Sequence, residues 1–259
     1  MNILIGPKLG DFLHCLLIPK MIWELTKQKS NIFICEAYKF PETFTTGIKK
    51  TYEELLPLMI EQEFVNKFEI FNDQNIDMYL SDYRLSNKLY NDSWTNIILN
   101  SFMPDKDPIK NLKILNLKKD KKFEDKILIS RKAHRCIADR NVFYSKFIHK
   151  FKENVFYIRT KDEMSENQFA KNHVENIVCE NFYEFATAIN SCKLFIGNLS
   201  SPLALATCLN KDRICELVQP DAIHYINDVK NYDNMSFFDH RNHYICERHN
   251  DFIKDILEV

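Results

Sequence analysis

Lys193-Leu-Phe-Ile-Gly-Asn-Leu-Ser-Ser-Pro-Leu-Ala-Leu-Ala206 reads as a short apolar strand, a polar turn and an apolar helix opened by proline. Proline suits the first helical position, and the serine before it suits the cap. Hydroxyls and backbone N–H groups at a helix amino terminus form a ready phosphate site, although a well-capped core helix would carry the same residues. A stretch of similar design opens the chain: Asn2-Ile-Leu-Ile-Gly-Pro-Lys-Leu-Gly-Asp-Phe-Leu-His14. The chain has only four glycines, and Gly6, Gly10 and Gly197 fall in these two turns, with Gly47 elsewhere in a polar loop. Glycine permits sharp turns and close backbone approach, so its scarcity marks the places where such geometry matters.

Working outward, residues 2–5, 31–35, 67–71, 126–130, 154–159, 175–179, 193–196 and 213–217 read as strands, several apolar throughout, as for strands covered on both faces. Helical faces lie between them. One carries Tyr52, Leu55, Leu56 and Met59, and another carries Phe182, Phe185, Ala186 and Ile189 behind an Asn181/Glu184 capping box. Residues 11–28 form an almost wholly apolar helix in which Pro19 marks a bend or a broken start. This alternation predicts an α/β fold with mainly parallel sheets. It breaks between about Pro104 and Glu124, which are polar, charged and proline-punctuated, so the chain divides into residues 1–115 and 116–259, each opening on a strand. The tail over about 228–249 reads as irregular, and 251–258 as a final helix.

Composition bounds the function. Of the 259 residues 45% are hydrophobic and 27% charged, as in a globular protein, and a net charge of -1 gives no global drive toward nucleic acid or an anionic membrane. The start lacks the basic and long apolar regions of a signal peptide, and no apolar run approaches the length of about 20 residues that spans a bilayer. A cytoplasmic protein without a transmembrane segment is expected. Eight cysteines without a C-x-x-C pair read as buried thiols. Asp105-Lys-Asp107 resembles a divalent-metal motif but sits between two prolines, and His240 and His243 lack a metal-binding frame, so no metal or other cofactor is expected.

In the first turn Asp11 is either a helix cap or a carboxylate at the carboxyl end of the first strand, where open α/β sheets place their ligand crevice. His14, one turn on, is either structural or directed to that crevice. Gly6-x-x-x-Gly10 is not the dinucleotide fingerprint. The strand Lys126–Ser130 runs into the basic turn Arg131-Lys132-Ala-His134-Arg135, which is either a solvated loop or, through Arg131, a phosphate-binding one. Glu216, at another strand end, is either an exposed end residue or a candidate for the ribose or base of a nucleotide.

The string Cys192–Ala206 resembles the carboxyl-terminal donor segment of GT-B glycosyltransferases, above all the ADP-heptose:lipopolysaccharide heptosyltransferase (glycosyltransferase family 9-like) superfamily, and Leu9-Gly10-Asp11 resembles its amino-terminal signature. The resemblance implies two Rossmann-like domains facing a central cleft, acceptor on the first and nucleotide-sugar on the second. It implies transfer of a sugar from a nucleotide-diphosphate sugar to a hydroxyl of a glycan or other acceptor, inverting and metal-independent. Asp11 would be the general base, and Gly197, Asn198, Ser200 and Ser201 would meet the donor. Lys8, Gly10, His14, Ser130 and Glu216 complete the candidate set. The chain departs from the pattern in its short length, in Asn198 where an acidic residue is usual, and in leucine or alanine where the following helix often has histidine. A sugar-nucleotide epimerase of the same shape, which needs no acceptor, and a non-catalytic binding protein on the same scaffold are the alternatives.

Overall fold

The computed structural model describes residues 1–86, 92–132, 135–137, 141–161, 174–218, 226–238 and 243–257, with the side chains of 141–143, 255 and 257 outside that description. Strand β1 (Asn2–Ile5) lies inside a four-stranded parallel sheet with β2 (Ser30–Ile34), β3 (Val65–Ile70) and β4 (Met78–Tyr79), in the order β3-β2-β1-β4. Its Ile3, Leu4 and Ile5 are fully buried, which explains the unbroken apolar run. The second sheet has β5 (Ile127–Ser130), β6 (Val155–Thr160), β7 (Glu175–Cys179), β8 (Leu194–Asn198), β9 (Arg213–Glu216), β10 (Met235–Phe238) and β11 (His243–Tyr244). Their order is β11-β10-β9-β8-β5-β6-β7, and every pairing is parallel except β10 with β11.

All eight expected strands form within about two residues of their expected bounds. The tail is corrected: Met235-Ser-Phe-Phe238, expected to be irregular, is a wholly buried strand paired with β9. Its four residues are too few to stand out in polar surroundings. The single helix expected over 11–28 is two, α1 (Leu9–Cys15) and α2 (Leu17–Thr26). The restart puts Pro19 in the first turn of α2, where its missing N–H breaks no helical hydrogen bond.

The remaining helices are α3 (Ile48–Ile60), α4 (Trp94–Phe102), α5 (Asn141–Lys150), α6 (Phe182–Ser191), α7 (Ser201–Cys208) and α8 (Asn250–Leu257). The capping box of α6 forms in a shifted version. Asn181 Oδ1 accepts from the Glu184 N–H at 2.9 Å, and Glu184 Oε2 accepts from the Glu180 N–H at 2.8 Å.

The two sheets share a core. One buried apolar cluster includes Ile3, Phe12 and Leu13 from the first lobe and Phe185, Leu203 and Phe237 from the second. Polar ties reinforce it. The Phe182 N–H donates to Glu54 Oε2 at 2.6 Å, Tyr183 Oη donates to Glu61 at 2.9 Å, and the Thr95 N–H donates to buried Asp228 at 3.4 Å. All eight cysteines are free thiols, seven of them buried. Among the described residues no helix is long and apolar enough to cross a membrane.

Candidate active site

The turn before α1 and the turn before α7 meet. A Cβ built on Gly10 would stand 3.8 Å from Ser201 Cα and 4.0 Å from Ser201 N, so the amino termini of α1 and α7 touch across the lobes. Behind this contact the helices pack along their buried faces, with Cys208 Sγ against the Leu13 carbonyl at 3.2 Å. Both helices present positive dipole ends to the same region.

Asp11 lies one residue beyond the contact and is about one-fifth exposed. It does not cap its helix, because its carboxylate is held by the guanidinium of Arg84, from the 3-10 turn Leu80–Leu85. Arg84 also binds Glu42, and Lys8 Nζ reaches the other Glu42 oxygen at 2.6 Å, so the charges alternate along Asp11, Arg84, Glu42 and Lys8. Burial disfavours the Glu42 carboxylate, but the hydrogen bonds from Lys8 and Arg84 outweigh it and hold the carboxyl below its ordinary value. Lys8 sits at φ 79°, a region that favours glycine, and this strained residue precedes the first turn of α1. His14 points elsewhere: it is buried and stacks on Trp94, with ring centroids 5.5 Å apart.

The loop after β5 departs from expectation. Arg131 is not a cleft residue. Its side chain is fully buried and its Nε and Nη2 donate to the two oxygens of Glu216 at 2.5 and 2.7 Å. Tyr144 lies under the guanidinium at 4.0 Å, and the Ile137 N–H donates to Glu216 Oε1 at 2.7 Å. This pair closes both residues to a diphosphate or ribose in this conformation. Burial, with the Glu216 carboxylate beside it, pushes the Tyr144 hydroxyl well above its ordinary value.

Asn198 is corrected likewise. Its fully buried amide faces the loop after β5, accepting from the Lys132 N–H at 3.0 Å and donating to the Lys132 and Arg135 carbonyls at 2.9 Å each. Gly197 is buried in β8, where a Cβ would lie 2.7 Å from the Phe195 ring and 3.2 Å from the Ser130 carbonyl; close packing requires this glycine. Ser130, its partner in register, is buried too. Ser200 is the N-cap of α7, but its hydroxyl donates back to the Asn198 carbonyl at 3.0 Å instead of capping.

Between the lobes lies a cavity of ≈ 410 Å³. Leu9, Phe44, Thr45, Thr46, Lys50, Thr51, Glu54 and Leu55 line it from the first lobe, and Lys132, Thr160, Phe182, Phe185, Ser201 and Pro202 from the second. Of the expected site residues only Ser201 is on its wall. Lys132 and Lys50 put one cationic residue from each lobe on the wall that Ser201 and Pro202 also line, and suit a phosphorylated ligand. Lys50 could not have been singled out in the sequence, because it belongs to a helix whose apolar face is all that its pattern reveals.

Asp105 and Asp107 are exposed in a loop. His243 is exposed on β11, while His134 and His240 lie outside the described residues. Among the described residues no group of three or more His, Cys, Asp or Glu side chains could hold a metal ion.

No protein-family profile matches the chain, and no curated protein matches it. Solved structures do. The Escherichia coli heptosyltransferase WaaC with ADP is similar at 11% identity and a TM-score of 0.61, over 99% of this chain and 100% of that one. A glycosyltransferase family 9 protein from Veillonella parvula is similar at 10% identity and a TM-score of 0.58, over 100% of this chain and 89% of that one. The iron-containing dodecameric glycosyltransferase TibC from enterotoxigenic E. coli is similar at 13% identity and a TM-score of 0.52, over 98% and 71%. With two mainly parallel sheets in place around an inter-lobe cavity, this chain has the GT-B fold of the heptosyltransferase-like glycosyltransferases.

Proposed function

We propose that the protein transfers a sugar from a nucleotide-diphosphate sugar to an acceptor hydroxyl, with inversion and without a metal, at the junction of the cavity with the α1–α7 contact. The observation that supports this reading is that contact: Gly10 against Ser201 brings the turn that carries Asp11 to the amino terminus of α7, and Ser201 shares the cavity wall with Lys132. The donor diphosphate would lie along Lys132, Ser201 and the start of α7. Lys50 would approach it from the first lobe.

Asp11 would then accept the proton of the acceptor hydroxyl as its oxygen attacks the anomeric carbon. The bond from that carbon to the diphosphate oxygen breaks, and the nucleoside diphosphate leaves with its electron pair. Lys132 and the α7 dipole would stabilise the charge that develops on it. General-base assistance of this kind is worth about 10²–10⁴ in rate. Residues 1–115 would serve as the acceptor domain and 116–259 as the donor domain. The eight free thiols fit a reducing compartment, so we place the reaction in the cytoplasm.

The test is binding and turnover with a panel of nucleotide sugars, ADP-heptose first because WaaC is seen with ADP. Asp11→Asn should lose transfer by about 10² or more while keeping donor affinity. Full activity in this variant would refute the general base. Conversion of a nucleotide sugar without any acceptor would identify an epimerase instead, and absence of binding to every nucleotide would identify a non-catalytic protein.

A further inference from the structure

We infer that Asn198 is a positioning residue for Lys132: its amide pins the backbone of the loop after β5 so that the lysine side chain is presented to the inter-lobe cavity. The inference rests on the proposed donor site. It assigns to Asn198 a role through another residue, with no contact to the donor.

The geometry is specific. Asn198 closes β8 and has no exposed surface. Its Oδ1 accepts from the Lys132 N–H at 3.0 Å while its Nδ2 donates to the Lys132 carbonyl at 2.9 Å, so one side chain holds both backbone groups of a single residue. The same Nδ2 donates to the Arg135 carbonyl at 2.9 Å and approaches Cys136 Sγ at 3.5 Å, which fixes the loop at its far side as well. The backbone N–H must face an acceptor and the two carbonyls must face a donor, so the amide orientation follows from its partners. Lys132 lines the cavity while its neighbour Arg131 turns inward to Glu216.

Only an amide satisfies this arrangement. An aspartate at 198 would set a buried carboxylate oxygen against two carbonyl oxygens and leave the charge unpaired. The amide therefore accounts for asparagine at this position. In this chain the residue supports the loop.

The experiment is a double-mutant cycle on ADP and inorganic pyrophosphate binding, read by calorimetry on the folded protein. Lys132→Ala should weaken binding about tenfold or more, the size of one charge-assisted hydrogen bond. Asn198→Ala, and the milder Asn198→Ser should the alanine variant fold poorly, should weaken it about fivefold. In the Lys132→Ala background the Asn198 substitution should cost less than about twofold, because its effect passes through the lysine. Independent, additive losses would overturn the inference. If the natural protein binds neither ADP nor pyrophosphate, the proposed donor site fails, and hydrogen exchange then decides the positioning role. Asn198→Ser should speed exchange of the Lys132 amide about fivefold or more relative to amides of β8, and unchanged exchange would refute the clamp.

Discussion

Replacing Arg131 with methionine tests whether this residue is a buried structural partner or an accessible ligand contact. The substitution keeps the apolar length of the side chain but removes the two hydrogen bonds that Glu216 accepts at 2.5 and 2.7 Å. Glu216, with no exposed side-chain surface, is left with the Ile137 N–H at 2.7 Å and the Tyr144 hydroxyl at 3.4 Å. Breaking a buried pair from one side costs about 3–5 kcal/mol, because the remaining charge is uncompensated. For a chain of this size that corresponds to a fall in Tm of about 6–20 °C. The double variant Arg131→Met/Glu216→Gln should recover most of the loss, since removing both charges removes the unpaired one. Thermal unfolding and urea midpoints of the three proteins at neutral pH supply the measurement. An exposed arginine contributes about 0–1 kcal/mol, so a single variant with an unchanged midpoint, or a double variant no better than the single, would refute the reasoning.

Gly197→Ala should destabilise by about 1–3 kcal/mol in urea titration, because its methyl would overlap the Phe195 ring, whereas Gly10→Ala meets Ser201 at ordinary contact distance and should leave the midpoint unchanged or slightly raised. Arg84→Met removes the cation that holds the Asp11 carboxylate in place, so kcat for transfer should fall at least about tenfold through misplacement of that carboxylate, while ADP affinity, in which the proposed site gives Arg84 no part, stays within about twofold. Asp228, wholly buried, is pushed up from 3.8 to about 6 because desolvation outweighs its hydrogen bonds with Thr95 and Ser93 and the charge of Arg213. The folded state thus binds this proton more tightly than the unfolded chain does. The favourable contribution is complete below pH 3.8 and is lost as pH rises through about 6. Asp228→Asn should therefore gain up to about 3 kcal/mol relative to the natural protein between pH 4 and pH 7, and parallel stability curves would contradict this.

The sheets were legible in the sequence because strands buried on both faces are apolar at every position. The same property hid the orientation of the site. In a half-exposed strand, alternation of polar and apolar residues shows which neighbour points outward; Ile127-Leu-Ile-Ser130 is buried throughout, so nothing marked Arg131 as inward and Lys132 as cavity-lining. Because successive side chains face opposite ways, the expected cation was displaced by one position. Asp11 was visible from its place after a strand, but Arg84 and Glu42 come from distant loops with no pattern of their own. Gly197 was visible too, with a different cause: it makes room for Phe195, and the polar contacts at its turn belong to Asn198.

The α1–α7 contact has a consequence for how the molecule comes apart. Because the shared cluster runs from Ile3 to Phe237 and includes both helices, neither lobe can lose its fold without exposing apolar surface of the other. Thermal unfolding should therefore be a single transition, with calorimetric and van't Hoff enthalpies in agreement despite two separate sheets. A chain severed between Leu115 and Asn116 should yield fragments that fold only on recombination, since the Ile114 and Leu115 N–H groups donate to the Cys208 carbonyl beyond the cut at 2.8 and 2.9 Å.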